Sequence, residues 1–182
     1  MYSEKSQATE QAAATLIANT STIEGVAPTG VYTVECFDAD GNLKWSDSIK
    51  NLVVTQGKND MLDQYFAGIS YTAAWYLGLV DGATSPTYAA GNTLASHSGW
   101  TENTDYSGNR PAVTWGAASS GSKATTATAF NISGSATIAG AFMCTVATGT
   151  SGILYSAGNF TGGSRVVASG DTLNVTYTAT LT

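Results

Sequence analysis

Apolar and polar residues alternate through residues 30–54 (GVYTVECFDADGNLKWSDSIKNLVV), break at Asp38-Ala39-Asp40-Gly41, then alternate again. A period of two places Val31, Thr33, Glu35 and Phe37 on one side of a strand and Tyr32, Val34 and Cys36 on the other. Gly41 stands where a tight turn wants a positive φ, and Leu43 and Trp45 share a face of the return strand. The pattern predicts a β-hairpin. The cleanest alternation in the chain comes at its end. There Leu173, Val175, Tyr177, Ala179 and Leu181 alternate with Asn174, Thr176, Thr178 and Thr180, which predicts a final strand over 172–181.

Between these two segments, residues 73–80 form a largely apolar run, read as a central strand buried on both sides. Further strands are predicted over 112–115, 125–132, 136–147 and 152–160, with 165–167 leading into a turn at Gly170-Asp171. Apolar residues at 61, 62, 65 and 66 predict one helix over 56–66, with Asn59 or Asp60 as N-cap and Gly68 as its stop. Residues 93–97 are read as a helical turn, and 81–92 and 99–110 as loops. The sum is an all-β domain, an antiparallel β-sandwich or jelly roll with one short helix. An immunoglobulin-type sandwich is the alternative, although Cys36, Trp75 and Cys144 are spaced too widely for its signature. Residues 1–28 are Ala-, Gln-, Thr- and Glu-rich in their first half and loop-like in their second. They are read as an N-terminal arm, with a disordered tail as the alternative, preceding a domain of residues 29–182. Fully extended, such an arm reaches about 80 Å.

Composition narrows the function. Charged residues are only 11% of the chain, the net charge is −6 and the sequence pI about 4.4. The seven basic residues are scattered, so a counterion-releasing nucleic-acid surface is not expected. So weakly charged a surface gives little protection against association, and a homo-oligomer or an assembly component is expected. Cys36 and Cys144 sit in strand-like runs and read as buried free thiols; a disulfide requires their strands to be neighbours. One histidine and no Cys-x-x-Cys exclude a zinc site. The chain shows no basic-then-apolar leader and no apolar run of about 20 residues. Synthesis in a cytoplasm is expected, with no membrane partner.

Candidate chemistry is sparse. Asp38-Ala39-Asp40-Gly41-Asn42 begins like a calcium loop, but the twelfth position is Ile49 rather than a bidentate Glu. His97 lies between Ser96 and Ser98, near Glu102 and Asp105, yet no Gly-x-Ser-x-Gly elbow accompanies it. Glu102 and Asp105 make an acid–base pair only by proximity in sequence. No phosphate-binding loop or dinucleotide fingerprint occurs. No catalytic residue, metal or cofactor is therefore expected. Trp100, Tyr106, Arg110, Trp115 and Arg165 are of the types that concentrate at protein interfaces and are the candidate contact residues. The same rings, with Asn103 and Asn109, also suit stacking on sugars. In so charge-poor a chain Arg110 and Arg165 should pair with carboxylates, with Glu102, Asp105 and Asp171 as candidates.

Several pieces taken in order carry a resemblance. They are Gly30-Val31-Tyr32-Thr33-Val34-Glu35-Cys36 with the Asp-Gly turn and Leu43-Lys44-Trp45, then Asn51-Leu52-Val53, Gly57-Lys58-Asn59-Asp60 and Trp75-Tyr76-Leu77-Gly78-Leu79. His97-Ser98-Gly99-Trp100-Thr101-Glu102, Tyr106 with Arg110-Pro111, Gly152-Ile153-Leu154-Tyr155-Ser156 and Gly170-Asp171-Thr172-Leu173 complete the order. Over residues 30–182 this is similar to small virion proteins of tailed bacteriophages, of the capsid cement or decoration type. The resemblance implies a non-enzymatic subunit on the outside of an icosahedral shell, with the major capsid protein or other virion proteins as partners. A tail, neck or fibre-attachment subunit and a carbohydrate-binding module are the alternatives.

Overall fold

A computed structural model of the chain describes residues 25–67 and 74–182. The predicted arm lies outside the described residues up to position 24, as does the predicted helix stop at Gly68. Eleven strands form two antiparallel sheets among the described residues. The first sheet takes β1 (Pro28–Phe37), β2 (Leu43–Lys50), β6 (Ser122–Ala124), β7 (Thr128–Asn131) and β11 (Thr172–Leu181), in the order β2-β1-β11. β6 and β7 share the far edge of β11 in tandem. The second holds β3 (Leu52–Val53), β4 (Tyr76–Asp81), β5 (Glu102–Asn103), β8 (Ala136–Cys144), β9 (Leu154–Asn159) and β10 (Arg165–Val167). Its order is β3-β9-β8-β4-β5, with β10 following β9 along the edge of β8. This is an all-β sandwich, as the alternation predicts.

The predicted hairpin forms, and its Tyr32–Val34–Cys36 face is the inward one. Tyr32, Val34 and Cys36 are buried against Leu173, Val175 and Tyr177 of β11 and against Leu77, Leu79, Ile138 and Met143 of the second sheet. Gly41 adopts φ +83°, and the Asp38 carboxylate locks the turn by accepting the Asp40 and Asn42 amides at 3.0 and 2.8 Å. The carboxylate that opens the calcium-like motif is thus engaged by its own turn.

The two sheets differ in what covers them. The first exposes one face, mostly of Thr, Ser, Asn and a few charged residues. In the second, β4, β8 and β9 are buried on both faces, because residues 82–101 fold across their outer side. There Leu94 and Trp100 pack on Val80, Ala139, Phe142, Leu154 and Ala157 as a second apolar cluster. That layer is why residues 77–80 read as continuously apolar. Gly78 pairs with Phe142, whose ring lies across the place where a Gly78 side chain would project.

Three sequence expectations are corrected, and the reading of the cysteines as buried free thiols holds. The helix, α1 (Thr55–Leu62), starts before the predicted Asn59/Asp60 cap, from Val54 with no side-chain cap; one π turn (Asp63–Ala67) follows. Neighbours do the capping: the Val54 amide donates to the Tyr155 carbonyl, Thr55 to Ala90, and Gln56 Oε1 accepts the Leu154 amide. Residues 93–97 form a tight turn closed by reciprocal Thr93–Ser96 backbone bonds rather than a helical turn. Residues 112–115 are no strand, because they change partner midway, bridging Tyr76 at Ala112 and Thr125 at Trp115. The thiols are free and lie on opposite faces of the second sheet, Cys36 between the sheets and Cys144 under the outer layer. The disulfide and the immunoglobulin-type pin both fall with that placement. Burial, and then the Asp171 carboxylate, push the Cys36 thiol up to about 11, so it stays a protonated core group.

Candidate functional site

Of the five predicted contact residues, three are buried. Trp100 is 3% exposed; its ring stacks on His97 at 3.9 Å between centroids and tilts against Phe142 at 5.0 Å. Its Nε1 finds no acceptor among the described residues, so the packing rests on ring contacts alone. Tyr106 is buried edge-on to Phe130 at 4.9 Å. Arg110, 7% exposed, grips Glu102 through two bonds, Nε to Oε1 at 2.7 Å and a terminal nitrogen to Oε2 at 2.6 Å. Its other nitrogen donates to the carbonyls of Val146 and Gly149. The 99–110 loop therefore spends its interface-type residues on its own domain. Sequence marks them as contact residues but does not say that the contact is internal.

The remaining chemistry of that loop is also engaged. Glu102 is held by Arg110 and by the Tyr106 hydroxyl, while Asp105 accepts from Asn103 Nδ2 at 3.0 Å. The pair therefore anchors the loop. His97 Nδ1 sits 3.0 Å from the Thr93 carbonyl, as a hydrogen-bonded structural histidine does. No cluster of three metal-ligating side chains occurs among the described residues. Arg165 pairs with Asp47 at 2.8 Å, not with the predicted acids, because β10 lies opposite β2 across the edge of the sandwich. Asp171 pairs instead with Lys44 at 2.6 Å.

Trp115 is the exception. It lines a cleft of about 540 Å³ at one end of the sandwich with Asp60, Met61, Gln64, Tyr65, Trp75, Lys123, Met143 and Tyr155. Helix α1 brings Asp60 and Met61, the π turn Gln64 and Tyr65, the segment before β4 Trp75, the 112–115 segment Trp115, and strands β6, β8 and β9 Lys123, Met143 and Tyr155. Its floor is a chain of rings: Trp75 on Tyr155 at 5.4 Å, Tyr155 on Tyr177 at 6.2 Å, and Trp115 on Tyr177 at 6.1 Å. Burial raises the Tyr155 phenol, and its hydroxyl donates to Met61 Sδ at 3.3 Å. Asn51 Nδ2 fixes the Tyr177 hydroxyl from beneath at 3.0 Å. The walls are thus set by core packing before anything enters.

Beside the cleft stand large apolar residues that the domain leaves in water: Tyr65 is 83% exposed, Phe66 77% and Leu62 55%. Tyr65 and Phe66 meet edge to face at 4.8 Å. Patches of this kind on a charge-poor surface mark places where something binds. The sequence shows these residues only as the apolar positions of a helix. The one available signal is that positions 61, 62, 65 and 66 span an arc wider than a short helix buries. A scan against models of known protein families found no match, and neither did a search of curated proteins.

Proposed function

We propose that the chain is a non-enzymatic structural subunit of a tailed-phage virion, a capsid cement or decoration protein seated at capsomer junctions of the expanded head. The observation that carries this reading is the apolar end of the sandwich: Leu62, Tyr65 and Phe66 exposed around a preformed cleft, on a domain with few charges. Such a surface suits a subunit that packs stably against other protein subunits, a second copy of itself included. The resemblance of the ordered motifs to those of small virion proteins points to the kind of partner. Occupying sites that exist only on the expanded shell stabilises that state by mass action, and repetition over symmetric sites adds avidity.

Purified protein mixed with expanded capsids that lack it should co-sediment with them and raise their temperature of disruption. Protein left in the supernatant would overturn the reading. Electron microscopy that finds copies at a single vertex would assign the chain to the tail, neck or fibre attachment instead. The rings of Trp75, Trp115 and Tyr155 favour a carbohydrate-binding module as the second reading, now without Trp100 and Tyr106, which are buried. Saturable quenching of tryptophan fluorescence by oligosaccharides would select it.

A further inference from the structure

We infer that the cleft end of the sandwich is a self-association surface, in which Phe66 and Leu62 of one copy seat in the Trp75–Trp115–Tyr155 cleft of a second copy, and the reverse contact forms about the same two-fold axis.

The surface carries both halves of a contact. A receiving cleft of about 540 Å³ and the exposed rings that fit it lie side by side, joined by Tyr65, which lines the one and packs on Phe66 of the other. An insertion group adjacent to its own receptor cannot fill it in the same chain without distorting the helix end. A two-fold operation satisfies both at once, since an isologous interface needs a single self-complementary patch.

The charges follow the same logic. Asp60 stands on the α1 side of the cleft and Lys123 on the β6 side, and neither is in an ion pair among the described residues. Lys123 Nζ lies 5.9 Å from the centre of the Trp115 ring, at the cleft wall. A two-fold axis running along the cleft mouth, between these two walls, sets the α1 side of each copy against the β6 side of the other. Lys123 then faces the mate's Asp60.

A sugar ring fits less well. The apolar surface continues past the cleft to Leu62 and Phe66, farther than a small ligand covers.

This inference does not depend on the shell reading, and its test needs no capsid. Sedimentation velocity of the full chain across a wide concentration range should show a reversible dimer. Phe66→Ser changes an exposed residue, so folding should be unaffected, and it should raise the dissociation constant about tenfold or more, as loss of an interface hot spot does. Lys123→Glu should weaken the dimer, and Lys123→Glu combined with Asp60→Lys should restore it. A chain that is monomeric at every concentration, or a dimer indifferent to Phe66→Ser, would overturn the inference. Failure of the charge swap to restore association would overturn the two-fold pairing. Either negative result leaves capsid co-sedimentation untouched, so the two readings fail separately.

Discussion

Two regions of this molecule hold the residue types that interfaces favour, and they use them in opposite ways. The 99–110 loop turns Trp100, Tyr106 and Arg110 inward, onto Phe142, Phe130 and Glu102. The cleft end turns Tyr65 and Phe66 outward and leaves a ring-lined hollow beside them. The difference traces to the second sheet. Its outer face is apolar and no third sheet covers it among the described residues, so an irregular loop supplies the missing layer. At the cleft end the core is already complete through Tyr155 and Tyr177, and the rings beyond it stay exposed. Aromatic and arginine content identifies contact residues; which side of the contact belongs to the same chain depends on the unmet surface nearby.

Stability measurements can break that contrast. The largest effect should come from Phe142→Ala or Trp100→Ala, each removing a buried ring between sheet and loop, at about 3–5 kcal/mol. Chemical denaturation checks this. A loss under 1 kcal/mol would mean that the loop is not a structural layer. Arg110→Met should follow closely, since it strands Glu102 without its partner, at about 3 kcal/mol. Adding Glu102→Leu should recover much of that loss, because two apolar residues leave no unpaired charge.

Acid should act elsewhere. Burial opposes ionisation of Asp47 and Asp171, but Arg165 and Lys44 respectively, with backbone amides, hold both carboxyls below their ordinary range. Their contribution is therefore present above the unfolded value of about 3.9 and is lost as pH falls below it. The loss should be on the order of 1 kcal/mol apiece, the cationic partners being about one-third exposed. Melting temperature against pH should fall in that window for the native chain and fall less in Asp171→Asn. The smallest effect should be Tyr65→Ser with Phe66→Ser, within about 0.5 kcal/mol of the native chain. A large destabilisation there would show that the exposed rings serve the fold after all.

How far the sequence was legible follows the same division. Strands with one wet face announce themselves: β1, β2 and β11 were readable from alternation and from Asp38–Gly41. β4 was readable as an apolar run, and β8 and β9 fall within the strands predicted over 136–147 and 152–160. β6 was not, since Ser122-Lys123-Ala124 has no apolar pattern and becomes a strand only because β11 offers it an edge. The helix start was missed because α1 is capped by carbonyls of other segments rather than by its own side chain. The cleft was the least legible part. Met61, Trp75, Trp115, Met143 and Tyr155 come from separate elements, and only tertiary packing brings them together. Trp115 alone among the predicted contact residues reached it.

Hydroxyl-radical footprinting of the aromatic residues, on dilute protein and on the assembled form, separates the inward-facing loop from the outward-facing cleft end. Tyr65, Phe66 and Trp115 should react in the dilute chain and become protected on assembly, while Trp100 and Tyr106 should stay unreactive in both states. Reactive Trp100 and Tyr106 that become protected on assembly, with Tyr65 and Phe66 unchanged, would contradict that arrangement.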